Sequence, residues 1–205
     1  LDWELDNSSG TLWDLVVTAQ QDFVNTGNNT SFFNAGHVSG STTNGIHNQG
    51  SFETLINSGI ITSNGKSGIF NNTSATITNL TNSGVISSVK SSSLYNIGTI
   101  SSLENSGTIS AGEDNGINNE GIIGNISNTG TISAGNYVGI FNNTSATITN
   151  LTNSGVISSV KSSSLYNIGT ISSLENSGTI SAGEDNGIYN TGTIDYILNT
   201  GTISA

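Results

Sequence analysis

Large apolar residues recur singly along this 205-residue chain, each held between small polar ones. Segments such as Thr99-Ile100-Ser101 and Thr108-Ile109-Ser110 place one apolar side chain between two hydroxyls. That period of two predicts strand, because successive side chains of a strand point to opposite faces. Gly or Asn ends each segment after three to five residues, so the predicted strands are short.

The breaks are regular too. Asn-x-Gly followed by x-Ile recurs as NQGSF, NSGII, NSGVI, NIGTI, NSGTI, NEGII and NTGTI. Its asparagines are Asn48, Asn57, Asn82, Asn96, Asn105, Asn119, Asn128, Asn153, Asn167, Asn176, Asn190 and Asn199. From Asn96 the first spacings are 9, 14 and 9 residues, so two motifs fill 23. Residues Gly68 to Ile117 return unchanged at Gly139 to Ile188, an offset of 71, within a super-repeat of 68–134 and 139–205. Two coils of 23 residues and one of 25 fill each 71. The longer coil carries NNTSATI at Asn71 or Asn142, without the turn Gly.

Aligned coils show four apolar columns. The first runs from Phe23, Ile46, Ile69 and Leu94 to Ile188, and the second from Phe52 and Ile77 to Ile194, with Asn29 in the first coil. The third runs from Phe32 and Leu55 to Ile197, and the fourth from Val38 and Ile61 to Ile203. Four such residues give an isolated coil no core, whereas stacked coils share one. The prediction is an all-β parallel β-helix (a β-solenoid) of about eight coils of 23–25 residues, three short strands per coil.

The asparagines have a mechanical role in this reading. Asn tolerates the left-handed backbone that turns require, and Gly adopts it at less steric cost. A side-chain amide both donates and accepts. Stacked at one site of successive coils, amides are expected to form ladders at both motif positions. Residues 1–21 break the repeat, with Trp3, Leu5, Leu12, Trp13, Leu15, Val16 and Val17. They read as a cap or an irregular first coil, ahead of a repeat array over 22–205. Both ends read as cut from a longer chain.

Composition narrows the classes. Asn, Ser, Thr and Gly make 116 residues, which by itself suggests disorder, yet only 8% of residues are charged and 25 are Ile. Zero Cys excludes disulfides and thiolate metal sites. A net charge of −11, with three Lys and no Arg, makes nucleic acid or an anionic membrane a poor partner.

The N-x-G-T-I arrays, with I-x-N-x-G-T-I-x-x-L-x-N-S-G-T-I-S coils, resemble passenger domains of bacterial autotransporters and related surface adhesins. The resemblance covers Asp22 to Ala205. It implies a right-handed β-helix exported through the outer membrane to the bacterial cell surface, acting in adhesion, autoaggregation or biofilm formation. It implies extracellular localisation, with the membrane met only through a C-terminal barrel that this chain does not contain. The family's serine-protease module has no G-D-S-G counterpart here. Absence of Cys fits export in an unfolded state.

No catalytic constellation emerges. His37 and His47 fit no metal-ligand spacing. Glu113–Asp114 recurs as Glu184–Asp185 three coils away, roughly 14 Å at the usual strand spacing, too far for a paired glycosidase site. The expectation is therefore a non-enzyme with no cofactor and no metal. A candidate binding row follows the first apolar column: His47, Phe70, Tyr95, Phe141, Tyr166 and Tyr189, broken by Asn118. If the Ile or Leu points inward, these neighbours point outward as an aromatic stripe suited to sugar faces or protein. Mutual stacking that stabilises the rod is the competing role. Expected partners are a second copy of the chain, a host glycan or an extracellular protein. The alternatives are a pure spacer, a carbohydrate-active enzyme, and an ice-binding face built on the Thr-x-Ser rows.

Overall fold

The structure is a computed structural model and describes residues 20–205, with side chains from Asp22 onward. The cap expected over residues 1–21 lies outside the described residues, apart from the backbone of Gln20 and Gln21. Among the described residues there are 25 strands and no helix, from β1 (Gln20–Gln21) to β25 (Thr202–Ser204). They form three parallel sheets of nine, eight and eight strands, in each of which every strand pairs with its counterpart one coil away. The chain is thus a β-solenoid of about eight coils with three strands each.

One coil shows the logic. Its strands are Leu94–Asn96, Thr99–Asn105 and Thr108–Ala111. The short strand supplies the first apolar column, the long strand the second and third, and the last strand the fourth. Register follows the columns read from sequence: Leu94 pairs with Ile69 and Ile117, Ile100 with Ile77 and Ile123, Leu103 with Leu80 and Ile126. Ile86 pairs with Ile109 in the third sheet. From Val38 to Ile180 the columns merge into one continuous core.

Burial comes from the neighbouring coil. Ile180 is 0% exposed, while its counterpart Ile203 in the last coil is 38% exposed and Ile197 beside it 50%. Each fully covered Ile or Leu is worth about 1.5–3 kcal/mol. In the first coil, Phe23 and Phe32 fill the core with ring centroids 4.6 Å apart, and Phe52 of the next coil packs on both.

Two sequence expectations need correction. The middle strand spans seven residues, not three to five. It carries two consecutive outward residues, such as Ser101 and Ser102, between inward Ile100 and Leu103. Ser101 drops out of the pairing register, so the strand bends there and both flanking apolar residues reach the core. The turn glycines also serve another purpose than expected. Gly107 does not sit in the left-handed region; a Cβ there would lie 2.1 Å from the Gly84 carbonyl oxygen of the preceding coil. Gly is required because coils approach closely at the turn.

Candidate interaction surface and asparagine ladders

The asparagines close two ladders. In the first, Nδ2 of each residue donates to Oδ1 of the next along Asn25, Asn48, Asn71, Asn96, Asn119, Asn142, Asn167 and Asn190, at 2.7–2.9 Å. The second runs Asn34, Asn57, Asn82, Asn105, Asn128, Asn153, Asn176 and Asn199, at 2.7–2.8 Å. The amide NH2 also reaches backbone carbonyls: Asn96 donates to Gly98 O at 3.2 Å and to Ile122 O at 3.1 Å. From Asn48 to Asn167 in the first ladder, every member is fully buried. These residues therefore hold the rod together and present nothing to a ligand.

Asn71 and Asn142 lie outside the Asn-x-Gly motif, and Asn25 and Asn34, which open NTGNN and NAGHV, lack the x-Ile or x-Phe that follows it elsewhere. Asn71 and Asn142 lie in the longer coils, where their amides turn to Ala75 O and Ala146 O at 3.4 Å in place of a carbonyl two residues on. The signal that finds all of them is on the other side: each ladder Asn lies two residues after an inward apolar residue, as in Phe23-x-Asn25 and Ile69-x-Asn71. Missed as well was an inward serine at the end of the third strand. Ser88 Oγ donates to Lys66 O of the preceding coil and accepts from Ser91 N, pinning the corner loop across two coils.

The aromatic row stands on the outward side of the short strands, and its rings stack. His47 and Phe70 have centroids 5.0 Å apart, and Phe70 and Tyr95 5.2 Å. Phe141 and Tyr166 follow at 5.3 Å, and Tyr166 and Tyr189 at 4.7 Å, both edge to face. Asn118 separates the two triads, with its Oδ1 buried and lacking a hydrogen-bond partner. The rings are half-buried except Tyr189, which lies in the last coil and is 40% exposed. Stacking is thus present, and the outer edges of the rings remain accessible.

Electrostatics along the row are local. Tyr95 Oη donates to Glu120 Oε1 at 2.9 Å. Burial, and then that carboxylate, push the Tyr95 hydroxyl up to about 12. Partial burial and the Lys66 ammonium hold His47 below its ordinary value. Among the described residues no group of three His, Asp or Glu converges on a metal-sized site. The acidic turns are internally tied: Asp114 accepts from Ser92 Oγ and Asn115 Nδ2, each at 2.9 Å.

Fold and surface together define a β-solenoid whose inward rows are structural and whose outward rows are available for contact. No family model, no curated protein and no solved structure matches the chain.

Proposed function

We propose that this chain is a non-enzymatic segment of a bacterial surface adhesin that promotes adhesion or cell–cell aggregation through its repeated lateral faces. The observation that supports the reading is the placement of outward residues in continuous rows, foremost the two stacked aromatic triads. A row presents the same chemistry at intervals of one coil, about 4.8 Å. Contacts that are weak singly then add along the rod through multivalency. Host glycans and a second copy of the chain are the partners such rows suit.

The purified chain, coupled to beads, is expected to clump them or to retain glycans on an array. Tyr95→Ser, Tyr166→Ser and Tyr189→Ser together should abolish glycan retention while leaving the circular dichroism spectrum unchanged. Beads that stay dispersed, with an array that stays blank, would refute the reading. That outcome would favour a stalk that spaces other regions, a role consistent with ring stacking spent on the rod's own cohesion.

A further inference from the structure

All three cations of the chain lie at one corner of the rod, the loop joining the third strand of each coil to the next short strand. In a chain of charge −11, the other faces offer a second copy carboxylates and histidine but no Lys or Arg. The pairing Ser88↔Ala111, continued by Gly112 N to Ser88 O and Glu113 N to Val89 O, fixes the corner register. Followed along successive coils, one outward column reads Lys90, Glu113, Asn136, Lys161 and Glu184, all exposed. Among the described residues, Lys90 and Lys161 close no ion pair with their own rod.

We infer that this corner is a self-complementary surface that binds a second copy of the chain antiparallel, about a two-fold axis at Asn136. The inference rests on the self-association reading and gives it a site and a register. A two-fold axis across the rods sets each corner column against its own copy reversed. Centred at Asn136, it places Lys90 against Glu184 and Glu113 against Lys161, each pair occurring twice, as an isologous interface requires.

Neighbouring columns agree. Val89 and Val160, 46% and 61% exposed, face Gly183 and Gly112 of the other copy, an apolar knob opposite a residue without a side chain. Tyr137, 58% exposed, meets its own copy at the axis. Asp114 faces Ser162.

Other arrangements are worse. Parallel rods in register set every Lys against itself. Moving the axis one coil either way sets Glu113 or Lys161 against its own copy. Moving it half a coil sets Lys90 against Lys161, or Glu113 against Glu184. An axis between Lys90 and Glu113, or between Lys161 and Glu184, avoids like charges but forms half as many pairs.

The test uses charge-swap partners of the full chain in a sedimentation or light-scattering assay. Lys90→Glu with Lys161→Glu, and separately Glu113→Lys with Glu184→Lys, should each weaken self-association about 10-fold or more, since like charges then face each other. Mixing the two variants should restore it. Asn136→Cys, in a chain with no other cysteine, should oxidise to a disulfide dimer, whereas Thr149→Cys on the long-strand sheet should not. Lys90→Cys should cross-link with Glu184→Cys and not with itself. Wild-type association unaffected by the charge swaps, or equal cross-linking at residues 136 and 149, would overturn the corner and leave self-association to other faces. A wild-type chain that stays monomeric would overturn the corner and the self-association reading together.

Discussion

Replacing Asn119 by Ala tests whether the ladders carry the stability assigned to them. Asn119 is 0% exposed. It accepts from Asn96 Nδ2 at 2.9 Å and donates to Asn142 Oδ1 at 2.9 Å, Thr147 O at 3.1 Å and Gly121 O at 3.2 Å. Alanine removes all four. Asn96 Nδ2 keeps Gly98 O and Ile122 O, so its loss is partial. Asn142 Oδ1 loses its ladder donor inside the rod. A buried acceptor stranded in this way costs about 1–3 kcal/mol. The space left by the amide adds to that, because interiors are close-packed. The sum is about 2–4 kcal/mol, which for a chain of this size lowers Tm by about 5–15 °C. The same change at Asn190, exposed in the last coil and donating only to Gly192 O at 3.3 Å, should cost about 1 kcal/mol or less. Thermal and urea unfolding followed by circular dichroism, with exposed Glu104→Ala as control, measure all three. Equal losses at Asn119 and Asn190, or an Asn119 variant indistinguishable from the control, would refute the argument.

Three further outcomes are expected. Gly107→Ala forces a methyl against the Gly84 carbonyl and should separate adjacent coils locally, seen as faster amide exchange around residues 84 and 107 than in Ser106→Ala. Tyr95 should ionise near pH 12 in a spectroscopic titration, against about 10 for free tyrosine. Because the folded state holds that proton more tightly, its contribution to stability is complete below pH 10 and is lost as pH rises towards 12; Glu120→Gln should lower the Tyr95 value. Self-association should strengthen as salt rises from 10 to 150 mM, where the screening length falls from about 30 to 8 Å and long-range repulsion fades. It should weaken again near 1 M, where the length of about 3 Å also screens contact pairs; a decline from the lowest salt onward would refute that balance.

The stacking of coils was readable because the core repeats one chemical requirement at one interval. Ile77, Ile100 and Ile123 pair in register across three coils, and any slip would expose them. The ladders were readable in kind but incompletely in membership, since the glycine of Asn-x-Gly answers to a contact between coils and the asparagine to the apolar residue before it. Asn71 keeps its ladder position although Ala75 replaces the turn glycine. The seven-residue strand was hidden because a period of two cannot place two outward residues in succession, as at Ser101 and Ser102. The aromatic row follows the inward column by one residue, but ring-to-ring distances depend on rotamers, which the pattern does not specify. The corner is not legible in the sequence, because Lys90 and Glu113 are 23 residues apart and adjacent only once the coils are stacked.

The period of the outer surface differs from that of the core, and the difference has a physical reason. Inward columns repeat every coil, since Leu94, Ile117 and Ile140 fill equivalent space. Charge cannot repeat every coil, because like charges one strand apart repel along the whole rod. A corner that alternated sign from coil to coil would accept many antiparallel registers, each shifted by two coils. The observed order of Lys, Glu and an uncharged residue, repeated over 71 residues, is the shortest pattern that keeps like charges three coils apart and still carries both signs. It also penalises registers shifted by one coil. In the proposed dimer the 71-residue super-repeat, and not the single coil, sets the register of the corner.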